Sequence, residues 1–407
     1  MLSKPLKIAH ITRAIDPVGG CEIYIRNLAE FQDKSGHRVS IITAYSPESS
    51  FKWHKINIPD LASYKHQSAK LSVNKLAEYL SGLSPDLVHI HDLNNPYAIR
   101  FCGQNFPTVK STLNADVYCG GIDKYLPTSK KACEYRMGYG CLLIAYYENC
   151  MRRNPKRALE IISLKKKSLQ ASQYLAAHVV PSDSSKKILI QNGVSEHKIR
   201  VVPLFSNFEY PKESICPHET KTILFVGRLR AYKGTAYLIR ALAKIKTDFK
   251  AFIVGEGEEK GKLVRLTHQL NLNQKVEFTG SLPHSEVSRY FEESSIVVVP
   301  SIYPDSFPTV GLEAMAYRKP VIGFQMGGIP VWLEDGKTGY LVKTQDVNEL
   351  AQKLELLLLN PELAQKMGQA GFERFSQHYT ESVHENLIDK LYTECLAHSP
   401  RQITSAR

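Results

Sequence analysis

Short apolar runs alternate with amphipathic stretches along most of this 407-residue chain. Runs at residues 7–12, 39–43 and 86–90 are apolar enough for strands that are buried on both faces, and helical patterns lie between them. The same alternation begins again at residues 222–226 and continues at 250–254. Two successive blocks of this kind predict an α/β protein in which two doubly wound domains face each other across a cleft.

The domain boundaries are predicted where the alternation stops. Residues 1–205 hold the first block and residues 221–380 the second, with a polar, proline-bearing linker at 206–220. A helical pattern at 381–398 predicts a C-terminal helix, for which a return to the first domain is one expectation. The last residues, 399–407, are expected to form a tail.

The densest chemistry lies at residues 297–342. There an apolar strand ends in a proline-rich loop, and the loop enters a helix that is expected to begin near Pro308. Asp305 and Glu313 lie on either side of this junction. A helix start offers unpaired N–H groups and a partial positive charge, which suit a phosphate. The pattern therefore favours an anionic ligand that carries hydroxyls, such as a nucleotide sugar.

A second candidate site follows the strand at 222–226. Gly227 and Arg228 end this strand, and Lys233 comes just before a helix expected from Thr235. Two cations beside a helix N-terminus predict a diphosphate site, with ordinary surface charges as the alternative.

The turn after the strand at 275–278, with Gly280 and Leu282, offers backbone groups to a base.

The first block has its own candidates. Gly19 and Gly20 stand between a strand and a helix, which is typical of either a phosphate or substrate cradle or a plain tight turn. Asn114 and Asp116 follow the apolar run at 108–113. Because open α/β sheets bind ligands at the carboxyl ends of their strands, these two side chains are candidate ligand-binding residues.

Metal binding has two weak indications. His89 and His91 alternate on one strand and face the same side, but two histidines are too few for a metal site, and we expect them to line the cleft as polar residues. Four cysteines follow without any C-x-x-C spacing. We expect no metal site, and a zinc site is the less favoured alternative for Cys119, Cys133, Cys141 and Cys150.

Net charge of +12 favours anionic partners. Much of this charge lies at residues 152–167, where basic and apolar residues alternate as in a basic amphipathic helix. A solvated helix face and attachment to an anionic membrane both fit. No aromatic platform or known reader motif accompanies the charge, so nucleic acid is not an expected partner. With no signal peptide and no apolar run long enough for a membrane span, we expect a cytoplasmic protein, at most peripheral on the inner face of the membrane.

Several motifs together carry a family resemblance. They include VGG at 18–20, FVGRLRAYKG at 225–234, PSIYPDSFPTVGLEAMA at 300–316 and KPVIGFQMGGIP at 319–330. The chain resembles the retaining glycosyltransferases of family 4, the glycosyl transferases group 1, which have the GT-B fold of two Rossmann-like domains. The resemblance covers nearly the whole chain and is strongest from residue 221 to residue 342.

The resemblance implies a role for each matching residue. Arg228 and Lys233 would hold the donor diphosphate, Glu313 the ribose and Asp305 the donor sugar hydroxyls. Further donor contacts would come from the N-terminal glycine loop, from the ends of two strands and from the loop that enters the helix expected near Pro308. These residues are Gly19, Gly20, Gly227, Gly280, Leu282, Phe307, Pro308 and Thr309.

Two positions depart from the family pattern. Asp305 stands where the family usually has glutamate, and the segment with Asn114 and Asp116 stands where the family often has a histidine beside the reacting sugar. Both residues of that segment are therefore candidate catalytic residues.

The implied reaction moves a sugar from a nucleotide-diphosphate-sugar to a glycan or lipid-linked acceptor, with retention and without a metal or other cofactor. The alternatives are a non-catalytic nucleotide-sugar-binding scaffold and a nucleotide-sugar epimerase.

Overall fold

The computed structural model describes residues 4–15, 19–45, 53–121, 123–151, 154–206, 210 and 221–397. Most of the expected linker, the tail, Val18 of the first motif, and Arg152 and Arg153 lie outside these residues. The chain divides into two compact units. The first comprises residues 1–128, 134–204 and 381–407, and the second comprises 129–133 and 205–380. Among the described residues, no helix is both long and apolar enough to cross a membrane.

The first unit is built on a seven-stranded parallel sheet in the order β3-β2-β1-β4-β5-β8-β9. Its strands are β1 Lys7–Ala14, β2 Arg38–Tyr45, β3 His54–Asn57, β4 Leu87–His91, β5 Thr108–Ser111, β8 Ala177–Val180 and β9 Ile199–Val201, and a short strand β6 Tyr125–Leu126 stands apart. Its helices are α1 Gly20–Lys34, α2 His66–Leu83, α3 Pro96–Asn105, α4 Cys141–Glu148, α5 Pro155–Ala171, α6 Asp183–Gln191 and α14 Glu381–Ala397.

The second unit has a six-stranded parallel sheet in the order β12-β11-β10-β13-β14-β15. Its strands are β10 Thr222–Val226, β11 Lys250–Val254, β12 Val276–Gly280, β13 Ile296–Val299, β14 Val321–Phe324 and β15 Gly339–Val342, with a short β7 Lys131–Ala132. Its helices are α7 Thr235–Leu242, α8 Lys260–Gln269, α9 His284–Glu293, α10 Val310–Ala316, α11 Ile329–Trp332, α12 Val347–Leu359 and α13 Pro361–His378.

Helices cover both faces of the first sheet, which is why most of its strand residues are buried, polar as well as apolar. On one face, Ile90 packs with Leu76 of α2 and Ile99 of α3. On the other, Ile8 and Val109 pack in a cluster with α14. The C-terminal helix is therefore part of the core of the first unit.

The two parallel sheets confirm the predicted α/β fold class. The pattern located most strands to within two residues. It missed the helices α3, α4, α8 and α11, the edge strands β3 and β15, and the short strands β6 and β7. Helix α4 was missed because it is apolar on all sides and has no amphipathic period.

Candidate active site

In the second unit, the basic pair and the first acidic residue meet directly. A 3-10 turn, Ala231–Lys233, follows β10 and leads into α7. The Lys233 Nζ atom lies 2.5 Å from the Asp305 Oδ2 atom. It also lies 5.1 Å from the centroid of the Tyr303 ring. Both partners are largely buried, so this ion pair is a fixed feature of the loop edge rather than a loose surface contact.

Close backbone packing holds the two loops that carry Lys233 and Asp305. Gly234, just after the turn, has a φ of +75°, and a Cβ atom there would lie 1.8 Å from the Pro300 carbonyl oxygen. Gly327 has a φ of +58°, and its Cβ atom would lie 2.4 Å from the Asp305 carbonyl oxygen. The adjacent Gly328 N–H donates to that same oxygen at 2.7 Å. The glycines of both motifs thus let other backbone segments fix the position of the ion pair.

Glu313 lies one turn inside α10. This helix begins at Val310 rather than near Pro308 and has only seven residues, so it offers less N-terminal charge than the sequence led us to expect. Glu313 is partly buried, and burial raises the pKa of its carboxyl group to about 7, against a hydrogen bond with Thr309 that lowers it.

The remaining donor candidates of the second unit lie at the same strand ends. The Gly227 N–H donates to the Val254 carbonyl at 3.0 Å, and the Gly255 N–H donates to the Gly280 carbonyl at 2.8 Å. The ends of β10, β11 and β12 are therefore joined. Arg228 is exposed beside them, and Leu282 is partly buried.

The loop before α10 is mostly interior. Phe307 and Pro308 are buried, Thr309 is partly exposed, and the Phe307 ring packs 5.9 Å from that of Tyr379. The buried side chains of Phe307 and Pro308 therefore contribute to the packing of the loop.

In the first unit, Gly19 and Gly20 stand at the start of α1, and no side chain caps that helix. They and the second-unit residues belong to separate compact units. Asn114 and Asp116 lie at the carboxyl end of β5, as expected, where the Asn114 Oδ1 atom accepts a hydrogen bond from the Asp116 N–H at 2.9 Å.

Asp92 is a site residue that sequence reasoning did not select. It follows β4 in the left-handed region with a φ of +45°, which is unusual for a residue other than glycine. Its carboxylate accepts hydrogen bonds from the Leu113 N–H and the Asn114 Nδ2 atom, both at 3.0 Å. Burial raises the pKa of Asp92 to about 7, against the hydrogen bond from Leu113. Its place at the end of a buried strand was the only sequence signal for it.

Asp116 is held by a buried lysine. The Lys165 Nζ atom lies 2.6 Å from Asp116 Oδ1 and donates to the Cys119 carbonyl at 2.9 Å. Burial opposes the charge of Asp116, but Lys165 and a hydrogen bond from Asn94 outweigh it and lower the pKa of this carboxyl. Lys165 therefore does not contribute to a basic outer face of α5, which corrects that part of the sequence interpretation.

Asp92, Asn94 and Asp116 help to line a small pocket of the first unit. Among its lining residues are the polar groups Arg13, Ser63, Tyr64, Asp92, Asn94 and Asp116. Such a mixture of carboxylates, amide, hydroxyls and one cation can pair with several hydroxyl groups of a ligand.

The two histidines of β4 do not line a cleft, contrary to expectation. His89 and His91 are fully buried, and His10 of β1 completes a cluster in which His10 Nδ1 lies 2.9 Å from His91 Nε2. Burial lowers the pKa of all three imidazoles, to about 4 for His10, so they are neutral. They interact with one another and with Gln32, Tyr392 and Ser111 as a hydrogen-bonded core network.

Among the residues that the structure describes, His10, His89 and His91 form the only group of three or more possible metal ligands whose ligand atoms lie close together. Cys119, Cys133, Cys141 and Cys150 are all described but form no such group, so the geometry does not support the zinc alternative.

Solved structures share this architecture over nearly the whole chain. Sucrose-phosphate synthase from Thermosynechococcus elongatus matches with a TM-score of 0.75 and 24% identity, covering 97% of this chain and 100% of the other. Anabaena HepE in complex with UDP matches with a TM-score of 0.70 and 18% identity, covering 95% and 100%. Together with two parallel-sheet units and polar loops at their strand ends, these matches define a protein of the GT-B glycosyltransferase fold.

Sequence comparisons give the family. The model for glycosyl transferases group 1 matches residues 206–374, and that for glycosyltransferase family 4 matches residues 18–112. An uncharacterised glycosyltransferase of Methanocaldococcus jannaschii is 28% identical over 87% of this chain and 89% of its own. A D-inositol 3-phosphate glycosyltransferase of Corynebacterium diphtheriae is 32% identical over 43% of each chain. These matches, one in each unit, identify the protein as a glycosyltransferase.

Proposed function

We propose that this enzyme transfers a glycosyl group from a nucleoside-diphosphate sugar to a hydroxyl of a glycan or lipid-linked acceptor, with retention of anomeric configuration. The observation that carries the proposal is the buried Lys233–Asp305 pair at the carboxyl ends of the second sheet, with the exposed Arg228 earlier in the same loop after β10. It combines cations for a diphosphate with a carboxylate for sugar hydroxyls.

The donor diphosphate is assigned to Arg228 and Lys233. As the glycosidic bond breaks, the leaving diphosphate gains negative charge, and fixed cations stabilise that charge without reorganisation. Helix α7 begins beside Lys233, and no side chain caps its N-terminus, so its first N–H groups add to the same field. Because protein groups supply this stabilisation, no step of the proposed reaction needs a metal ion or another cofactor.

The rest of the donor is assigned to carboxylates. Glu313 holds the ribose hydroxyls, and Asp305 orients the sugar while it also fixes Lys233. Retention is proposed from the family resemblance. Asp305 is not assigned as the nucleophile of a double displacement, because it is already paired with Lys233. The acceptor then attacks from the face that the diphosphate leaves, and the diphosphate takes the acceptor proton.

The acceptor is assigned to the pocket of the first unit. Asp92 and Asn114 hydrogen-bond to each other there, and Asp116 is held by Lys165. A rigid polar set of this kind suits the hydroxyls of a sugar or of a polyol phosphate, and Arg13 suits an anionic group on the acceptor. A lipid-linked acceptor would bring the enzyme to the surface of an anionic membrane.

A donor-turnover assay tests the proposal. Purified protein is incubated with a panel of nucleotide sugars, and released nucleoside diphosphate is measured with and without acceptors. We expect slow release from one donor, and Lys233→Ala or Arg228→Ala should reduce it by about 10²-fold. The matched control is Lys250→Ala, which breaks an exposed pair with Glu277, 3.1 Å long, at the other end of the same sheet. Wild-type rates in both site variants would overturn the assignment.

A further inference from the structure

Helix α4 is the least protected apolar element of the first unit. Its sequence, CLLIAYYE, has no polar face, and none of its residues is buried. Leu143, Tyr146 and Tyr147 are 70%, 74% and 72% exposed. A helix that is apolar on all sides is normally found in a protein core or in lipid, so this exposure points to a binding partner.

More aromatic surface adjoins the helix. Tyr135 and Tyr139 of the preceding segment are 57% and 53% exposed. Tyr146 and Tyr147 pack edge to face with a centroid separation of 5.4 Å. Five large apolar side chains within thirteen residues thus form one exposed segment, and tyrosine is a side chain that prefers the boundary between water and lipid.

Positive charge accompanies this segment. Residues 134–167 contain eight Lys or Arg and only three Glu. Lys165 is used inside the unit, but Lys166 and Lys167 on α5 are exposed, and the Lys166 Nζ atom lies 5.2 Å from the centroid of the Tyr139 ring. The cations and the aromatic side chains therefore lie on adjoining surface.

We propose that α4 and the exposed lysines of α5 form a docking surface for an anionic lipid bilayer. Leu143, Tyr146 and Tyr147 enter the boundary between headgroups and acyl chains, and Lys166 and Lys167 pair with lipid phosphates. Lipid is the favoured occupant because the exposed segment is rich in tyrosine and is bordered by cations, a combination that suits the boundary between water and an anionic bilayer. The sequence offered membrane attachment through α5 as one of two interpretations, and the proposed surface adds α4 to the α5 lysines.

Vesicle sedimentation with the full chain tests this surface independently of transfer activity. Wild-type protein should sediment with phosphatidylcholine vesicles that contain phosphatidylglycerol, weakly or not at all with pure phosphatidylcholine, and less at high salt. The triple variant Leu143→Ser/Tyr146→Ser/Tyr147→Ser and the double variant Lys166→Glu/Lys167→Glu should each weaken binding by about tenfold or more. Lys165 is left unchanged, since its replacement would disturb Asp116.

A matched control removes exposed apolar surface elsewhere on the same unit. Leu71 and Tyr79 of α2 are 58% and 41% exposed, and Leu71→Ser/Tyr79→Ser should bind vesicles as the wild type does. Thermal unfolding of each variant checks that the fold is kept. The variant Tyr147→Trp reports by its fluorescence how deeply α4 enters the bilayer. Both native tryptophans, Trp53 and Trp332, are buried. Its emission should shift to shorter wavelength with anionic vesicles.

Three results would overturn the proposal. The first is a wild-type protein that binds no anionic vesicles, and the second is a triple variant that binds as well as the wild type. The third is concentration-dependent self-association that the triple variant abolishes, because a second copy of the chain would then cover α4.

Discussion

At the scale of single residues, the Lys233–Asp305 ion pair changes how the proposed donor site is expected to work. The sequence indicated one ligand group for each residue, a phosphate for Lys233 and sugar hydroxyls for Asp305. The 2.5 Å contact means that a phosphate bound at Lys233 would compete with the carboxylate for the same ammonium. If the proposed assignment holds, Asp305 would weaken diphosphate binding while it prepares the sugar site.

This competition predicts opposite effects on binding and turnover. Asp305→Ala should raise the affinity for a nucleoside diphosphate about fivefold, which corresponds to roughly 1 kcal/mol, because a nearby negative charge is removed. The same change should lower sugar transfer by about tenfold or more, because the sugar is less well oriented. Calorimetric titration and diphosphate release measure the two quantities. Glu277→Ala, which breaks the exposed pair with Lys250, is the control and should change neither. A weaker diphosphate affinity in Asp305→Ala would contradict this account.

A pH profile should reveal two carboxyl groups. Burial raises the pKa of both Asp92 and Glu313 to about 7. Each accepts hydrogen bonds best when ionised, so kcat/KM should rise as pH increases through about 7. Glu313→Gln should raise KM for the donor and Asp92→Asn should raise KM for the acceptor, and each should flatten the rise. A profile that is unchanged in both variants would show that other groups titrate.

At the scale of elements, α14 is joined to the first unit by polar contacts as well as apolar ones. Tyr392 lies 2.6 Å from His89 Nδ1 and accepts a hydrogen bond from Gln32 Nε2 at 3.2 Å. The Tyr24 hydroxyl lies 3.0 Å from His384 Nε2. Since His384 Nδ1 faces the Pro203 carbonyl, which can only accept, Tyr24 donates in this bond.

Removing one hydroxyl from this network should cost stability. Tyr392→Phe leaves buried groups of His89 and Gln32 without their partner, and we expect the free energy of unfolding of the first unit to fall by about 1–3 kcal/mol. Urea unfolding measures this through the fluorescence of Trp53, in a background with Trp332→Phe, so that the signal comes from the first unit. Tyr79→Phe, on an exposed side chain of α2, is the control. A change equal to that of the control would show that the network adds nothing.

The same network should make the first unit sensitive to acid. Burial lowers the pKa of His10 and of His384 to about 4, while the unfolded chain keeps values near 6.5. As pH falls from about 6.5 to about 4, the unfolded state takes up protons that the folded state excludes, so stability is present above this window and is lost through it. Unfolding of the first unit at a series of pH values measures the slope. His384→Gln should reduce the slope, and an equal slope in this variant would contradict the assignment.

At the scale of the whole molecule, two units with separate sheets should unfold in separable steps. The proposed diphosphate site belongs to the second unit and the histidine network to the first. A nucleoside diphosphate should therefore raise only the second unit's transition, by about 2.7 kcal/mol at a hundredfold excess over Kd. Mild acid should lower only the first. Calorimetry with and without ligand separates these steps, and a ligand shift carried only by the first transition would place the diphosphate elsewhere.

Local features of the sequence were sufficient for the architecture. Strands β10, β11 and β13 lie where the apolar runs predicted them, because a strand that is covered on both faces favours apolar residues. The glycine and proline positions located the loops at the strand ends. The family motifs singled out Lys233, Asp305 and Glu313.

The tertiary structure decided how these residues are used. Lys233 meets Asp305 across 72 positions of sequence, and His10 meets His91 across 81. Lys165 was expected on an outer face and is instead buried against Asp116. Charge and periodicity specify a residue type and a local face, but they do not specify which distant group will share its space. The sequence by itself determined the fold class and the candidate residues, since both depend on local pattern. Ion pairing, burial and the exposure of α4 depend on contacts between distant segments, and only the folded chain defines those.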